Sequence, residues 1–379
     1  MSLFMVILGI SIISCLLYAF LIGIFTVGWF KLRTFPDKLL TEYKQISVIV
    51  PFRNEEKLLP DLLDCLIGQT YPPQFLEIIF VDDHSTDKGP ELITDLIEKE
   101  QLGHFTLLRL TSEDGFSKKA ALKKGIEHSH GELIITTDAD CIMGQSWLSQ
   151  IVSFYNKEKC SVISAPVYIM PEKAFLSKLQ SLEFMSLIGS GAGAISIHQP
   201  FLANGANLAF ERKLYDELQG YSSNLNYVSG DDVFMLIKAK QKHEIRFLKN
   251  IESIVFTSAA PDLKTFLHQR IRWASKSKGY RDAVALITSL SVFMLNFILI
   301  VTLVLGLIDL RFLLMSALIF ILKALIDFPL MLSVSKFFKA AKLMWYYIPM
   351  QFFYPLYIVT TAFLSLFIPF EWKGRKQRQ

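Results

Sequence analysis

Cysteine is scarce in this 379-residue chain. The four cysteines, Cys15, Cys65, Cys141 and Cys160, fit no metal-ribbon or Cys-x-x-Cys spacing. Cys15 lies in an apolar run, and the other three read as reduced thiols of a cytosolic domain. For Cys141, beside an acidic motif, packing is the first reading and ligand contact the second. Excess charge is small too: the net charge is +4, too little to argue for nucleic-acid binding. Internal repeats and low-complexity linkers are absent. No charged residue occurs from Leu3 to Phe30, and no basic residue precedes that run. A cleaved signal peptide wants a basic start, a shorter core and a small-residue cleavage site. The expectation is an uncleaved anchor over 1–32, with its N-terminus outside.

What the chain has in quantity is apolar residues, 52% of the total. They concentrate in an N-terminal block and a larger C-terminal one, with a mixed stretch over 38–282 between them. About 20 apolar residues cross a bilayer. Lys31 and Arg33 follow the first block, and Arg270, Arg272, Lys276, Lys278 and Arg281 precede the second. Basic flanks mark the cytoplasmic side, so the mixed stretch is expected in the cytosol and most of these residues at a solvated or lipid-facing edge. Over 283–370 come three apolar segments, near Ala283 to Ile308, Phe312 to Val334 and Met344 to Phe370. The first two should form a hairpin. The third carries Pro349 and Pro355 and either spans or re-enters, which decides the side of the basic tail at 371–379. Lys323 and Asp327, four apart, should satisfy each other across one helical turn.

The mixed stretch alternates strand-like and helical patterns. Strands are expected at Ile46 to Phe52, Leu76 to Val81, Phe105 to Leu110 and Leu133 to Thr137. Helices are expected at Glu55 to Ile67, Glu91 to Lys99 and Lys118 to His128. Near-continuous apolar strands alternating with helices indicate an α/β fold with a mostly parallel sheet covered on both faces. Ligands in such folds sit at the carboxyl ends of the strands. The second strand runs there into Asp82 and Asp83, the fourth into Asp138 and Asp140. Either a divalent cation with phosphate oxygens relieves the repulsion between them, or each is a turn residue or helix cap. Asp231 and Asp232 open a later helix, as caps or as a general base. Gln269 and Arg272 share a helix face, with Trp273 adjacent. An arginine there can neutralise a departing diphosphate and a tryptophan face suits a sugar, unless both belong to a membrane flank. Ala174 to Ile197, rich in small residues, is either an interfacial helix or a core helix under the sheet.

In order along the chain, these motifs resemble those of the family 2 glycosyltransferases with a GT-A, Rossmann-like catalytic domain. The resemblance covers roughly Ile46 to Trp273. It includes the first strand and loop with Pro51, Arg53 and Glu55, and the acidic motif Asp82-Asp83 followed by His84 where glycine is usual. Ser117-Lys118 stands where Gly-Lys is usual. Asp138-Ala139-Asp140 is similar to the DxD motif, Asn204 to Phe210 to the strand under the acceptor, and Asp231-Asp232 to the acidic pair. Gln269, Arg272 and Trp273 are similar to the QxxRW motif of membrane-bound members, here flanked by transmembrane helices.

The resemblance implies that Pro51, Arg53, Glu55, Asp82 and Asp83 hold the nucleotide of a nucleotide-sugar donor, with UDP favoured. Asp140, supported by Asp138, would hold Mg²⁺ or Mn²⁺ on the diphosphate. Asp232, beside Asp231, would act as base in an inverting transfer. Arg272 and Lys118 would stabilise the leaving diphosphate, with Gln269 and Trp273 at the substrate. The expected acceptor is a lipid or glycan at the membrane, and the alternative is a processive polysaccharide synthase. A transporter or receptor is a weaker fit because the apolar segments carry few polar residues. An inactive scaffold sits poorly with the intact acidic and Arg272 set. The expected location is a plasma or inner membrane, among membrane lipids, with the catalytic domain facing the cytosol.

Overall fold

A computed structural model describes residues 3–37, 40–218, 231–275, 282–367, 371–372 and 375–376. Ser229, Gly230, Lys276, Lys278, Arg281 and most of the basic tail lie outside the described residues, as does the side chain of Asp231.

The chain opens with helix α1 (Leu3–Lys31), then alternates β1 (Ile46–Phe52), α2 (Leu59–Ile67), β2 (Leu76–Asp82), α3 (Gly89–Lys99), β3 (Phe105–Arg109), α4 (Lys118–His128) and β4 (Leu133–Thr136). There follow β5 (Cys141–Met143), α5 (Trp147–Glu158), β6 (Val162–Ser164), β7 (Val167–Met170), α6 (Phe175–Ser196), β8 (Leu208–Glu211) and α7 (Arg212–Glu217). Then come α8 (Asp231–Ala239), β9 (Ile245–Phe247), β10 (Val255–Ser258), α9 (Leu263–Ser275), α10 (Ala283–Leu305), α11 (Leu310–Phe337) and α12 (Tyr347–Phe367). A short ribbon pairs β11 (Glu371–Trp372) with β12 (Arg375–Lys376).

The main sheet has the order β3-β2-β1-β4-β8-β6-β9. Its first four strands are mutually parallel, whereas β8 runs antiparallel to both β4 and β6. The mostly parallel sheet expected from the strand patterns is therefore present, and the antiparallel β8 makes it mixed. Every residue of β1 is buried, as a strand with a face against each helical layer requires. Helix α2 starts at Leu59, later than its apolar pattern suggested, because Pro60 suits a first turn and the residues before it join the loop after β1. A smaller sheet, β5-β10-β7, lies beyond the carboxyl edge.

Helices α1, α10 and α11 and the segment Ala341–Phe367 are each long and apolar enough to cross a membrane. They leave large apolar side chains exposed, among them Ile13, Leu16, Leu314, Leu318, Phe352 and Leu356, which in water would be an aggregation surface. Asp309 caps α11 by accepting the Arg311 N–H at 2.9 Å, closing the α10–α11 hairpin. Trp29 fastens the end of α1 both to α11 and to the sheet domain. Its indole N–H donates to Ser333 at 2.8 Å, and Lys249 lies 4.0 Å over its ring.

Helix α6 resolves the two readings of its sequence in favour of the core. It is buried around most of its circumference, between the sheet and the apolar helices. Its small residues let α1 cross it backbone to backbone. A Cβ on Gly193 would stand 2.1 Å from the Phe25 carbonyl oxygen, and one on Gly28 would stand 2.1 Å from that of Gly193. Close helix crossings in membranes use small residues in this way. Gly193→Ala is expected to destabilise the protein by about 2–3 kcal/mol, because neither backbone can yield locally. Thermal unfolding in detergent measures this, and an unchanged midpoint would contradict the close crossing.

Candidate active site

Register places the acidic residues together. Phe52 pairs with Asp82 across β1 and β2, and Ile49 pairs with Thr136 across β1 and β4. Asp82, Asp83 and Asp138 therefore leave the sheet at one edge, from the parallel strands on either side of β1.

The β1 and β2 loops are laced to each other. The buried Arg53 guanidinium donates to the backbone oxygens of Asp83 and His84 at 2.8 and 3.0 Å. Asp82 accepts the Ser85 N–H at 2.8 Å, Asn54 accepts that of Thr86 at 2.8 Å, and Asp87 accepts that of Glu56 at 2.8 Å. Asp83 is fully buried, and one of its carboxylate oxygens lies 3.0 Å from His84 Nδ1. His84 has φ +54°, the left-handed region that glycine enters freely and that histidine tolerates better than most residues. Its ring stacks on Phe116 at 4.2 Å. Pro51 is buried in β1, and Glu55 follows Asn54 in the loop.

A second group faces this one. Ser117 caps α4, accepting the Ala120 N–H at 3.1 Å, so the serine found in place of glycine has a structural role. Lys118, in the first turn, is ion-paired with Asp138. Asp140 accepts the Thr257 hydroxyl at 3.2 Å. Asp232, in the first turn of α8, accepts the Gly205 N–H at 3.1 Å and the Val233 N–H at 2.9 Å. Burial works against the Lys118 ammonium, yet Asp138, and Asp232 behind it, hold its pKa above that of an ordinary lysine. Burial lowers the pKa of Arg272, while Asp138, Asp232 and Asp140 act in the opposite direction. Four elements of the chain thus bring three carboxylates and two cations within electrostatic reach of one another. Burial, with Asp140 and Asp138 adding to it, pushes the Cys141 thiol well up. It remains protonated at neutral pH, in keeping with packing rather than nucleophilic chemistry.

The remaining predicted residues of α9, Gln269 and Trp273, both contact Arg270. Gln269 accepts from Arg270 at 2.5 Å, and Trp273 lies with its ring 4.2 Å from the Arg270 guanidinium and 5.9 Å from Phe184. Arg270 itself departs from the flank expectation: only 3% exposed, it is ion-paired with Glu183 of α6 at 2.5 Å. Glu183 also accepts the Tyr357 hydroxyl of α12 at 2.7 Å. This buried cluster fixes α9, and with it Arg272, against α6 and α12. Sequence reasoning passed over it, although a lone carboxylate in an otherwise apolar helix is a signal that a buried partner exists.

The donor set suits a hard cation. Asp138 and Asp140 stand at the sheet edge, and Mg²⁺ and Mn²⁺ take one or two carboxylates together with phosphate oxygens. Among the described residues no three His, Cys, Asp or Glu side chains form a cage of their own, so further ligands would come from a substrate.

Residues 47–218 match the model of glycosyl transferase family 2, and residues 133–370 that of glycosyl transferase family group 2. A beta-monoglucosyldiacylglycerol synthase from a Nostoc species is 25% identical over 230 residues, which cover 60% of this chain and 48% of that protein. The poly-beta-1,6-N-acetyl-D-glucosamine synthase of Staphylococcus aureus is 28% identical over 161 residues, 42% of this chain and 37% of that one. The chain spans about half the length of the curated relatives it matches, or less. Among solved structures, the mannosyltransferase PcManGT of Pyrobaculum calidifontis, in complex with GDP-mannose and Mn²⁺, superimposes with a TM-score of 0.60 at 19% identity. That alignment covers 94% of this chain and 99% of the other. By its family matches and its architecture, this chain belongs to the family 2 glycosyltransferases and has their GT-A fold.

Proposed function

We propose that this glycosyltransferase moves a single sugar from a nucleoside-diphosphate donor to the hydroxyl of a membrane lipid, with inversion at the anomeric carbon. The observation that carries the reading is Asp232, held by the Gly205 N–H within electrostatic reach of Lys118 and Arg272. A base and a cationic leaving-group site would then stand close to each other, and in-line displacement needs both beside the sugar.

In this mechanism the laced loops with Pro51, Arg53, Glu55, Asp82 and Asp83 bind the base and ribose. UDP is the favoured nucleotide, although the Pyrobaculum relative was captured with a GDP-sugar. Asp140 and Asp138 would hold Mg²⁺ or Mn²⁺, which supplies positive charge at the diphosphate. Lys118 and Arg272 add charge where it develops on the leaving oxygen. Asp232, with Asp231 preceding it, takes the acceptor proton. Gln269 and Trp273 position Arg270, and through it the helix that presents Arg272. The domain over 38–282 would face the cytosol of a plasma or inner membrane, on the anchor at 1–32 and the helices of 283–370, with the basic tail 371–379 after them.

Chelation with EDTA is expected to lower transfer by at least about 10²-fold, the worth of a metal at a departing diphosphate. Added Mn²⁺ or Mg²⁺ should restore it, and a rate indifferent to EDTA would remove the metal from the account. A lipid acceptor is supported by the Nostoc relative, whose name specifies a glucosylated diacylglycerol as product, and a polymer by the staphylococcal one. Mass spectrometry of lipids recovered after turnover separates the two. One added sugar per lipid is expected, and a ladder of longer products would favour the synthase.

A further inference from the structure

Between α1, α6, α10, α11 and α12 lies a cavity of about 100 Å³. One wall is polar in an unusual way for apolar helices. Lys323, 2% exposed, donates to Asp327 at 2.9 Å and to Gln351 at 2.5 Å, and its ammonium lies 4.6 Å from the Tyr354 ring. Asp327 also accepts from Gln351 at 3.0 Å and from the Tyr18 hydroxyl at 2.7 Å. The pair expected from sequence is therefore part of a four-residue network, and three of its members, Tyr18, Lys323 and Asp327, line the cavity. Ionisable groups inside a membrane protein are costly and tend to mark substrate paths.

A second observation points to a ligand. Hydroxyls in apolar helices normally return their proton to a carbonyl one turn back. Thr26, Ser289, Thr302 and Thr361 all do so, at 2.7–2.9 Å. Thr288 lines the cavity, is 8% exposed, and its Oγ1 has no partner; Ser291, one turn on in the same helix, is also unpaired but lies off the cavity, and the Thr288 hydroxyl reaches the cavity by turning about χ1. An unpaired hydroxyl buried this far costs about 1–3 kcal/mol, which a bound acceptor atom would recover.

Location ties the cavity to the reaction. Phe201 and Leu202 form part of its wall, and Gly205, three residues on, holds Asp232. Three residues of chain span at most about 11 Å. We infer that the cavity seats the ester region of an uncharged, hydroxyl-bearing lipid of the diacylglycerol class. Thr288 donates to an ester carbonyl, and the free hydroxyl points toward Asp232. This rests on the lipid-acceptor reading. Lys323 and Asp327 compensate each other, so a lipid phosphate would enter with no countercharge and lose its hydration. A volume of this size holds several water-sized groups, not a growing sugar chain.

The test is photolabelling of the whole protein in nanodiscs with a diacylglycerol carrying a diazirine close to its ester, with glycolipid formation followed in the same samples. Adducts are expected on the cavity faces of α6, α10 and α11. Unlabelled dioleoylglycerol should compete at a concentration at least about tenfold lower than dioleoyl phosphatidic acid, which must shed its charge hydration. Thr288→Val should weaken labelling about fivefold, the loss of one neutral hydrogen bond. Ser190→Phe, which fills the cavity from α6, should remove it, and acceptor-independent donor hydrolysis should persist in both variants. Labelling spread over Leu314 and Leu318, or untouched by Ser190→Phe, overturns the site. Equal competition by phosphatidic acid overturns the ligand class. Cavity labelling without any glycolipid would sink the lipid-acceptor reading and leave the site standing.

Discussion

Asp232→Asn is expected to lower sugar transfer by roughly 10²- to 10⁴-fold, the range for removing a general base, with donor affinity nearly unchanged. Asparagine keeps an oxygen for the Gly205 and Val233 N–H groups and retains a good residue type for a helix start. What it loses is the ability to take a proton. The loops after β1 and β2, where the donor is proposed to bind, are tied by other residues, Arg53, Asn54, Asp82 and Asp87, so the donor should still bind. Initial rates measured beside calorimetric donor titration separate the two effects. Transfer at the wild-type rate would remove Asp232 from the role of base.

Arg272→Ala carries the second large effect. Removing one preorganised charge at a developing anion typically costs about 10²- to 10³-fold in kcat. Here the loss has a structural side as well, because Asp138, Asp232 and Asp140 all act on this guanidinium. Leaving buried carboxylates without a countercharge destabilises by roughly 3–5 kcal/mol at a fully buried site, and less at this partly open one. Arg272→Lys should recover part of the rate and most of the stability, since it restores charge without the planar fork. Stopped assays together with thermal unfolding distinguish the contributions. An alanine variant that folds and turns over at the wild-type rate would assign the leaving-group charge to Lys118 and the metal alone.

The sheet was legible because its strands obey a local rule. A strand covered on both faces must be apolar throughout, and β1 and β2 can be read directly from ISVIVPF and LEIIFV. Helix α4 begins and ends where its pattern does, at Lys118 and His128. The Lys323–Asp327 pair was visible because its spacing is one helical turn. What escaped depends on distant partners. Tyr18 reaches Asp327 from 309 positions away, and Glu183 reaches Arg270 from 87. No local pattern distinguishes an arginine held by such a partner from one at a membrane edge, so Arg270 read as flank. For α6, small and apolar residues suit an interfacial surface as well as a close crossing. Only the approach of α1 to Gly193 decides between them. His84 and Ser117 were visible as departures from the family motifs. Their explanation, a left-handed backbone and a helix cap, needed the fold.

Nucleotide release from a panel of UDP- and GDP-sugars tests the central claim most directly. Purified protein in nanodiscs would be assayed with and without native lipid extract, with Mn²⁺, Mg²⁺ or EDTA, and with Asp232→Asn as the control. The account predicts release from one donor that requires metal, rises when lipid extract is added and disappears in the variant. Release that ignores lipid, metal and Asp232 alike would contradict it.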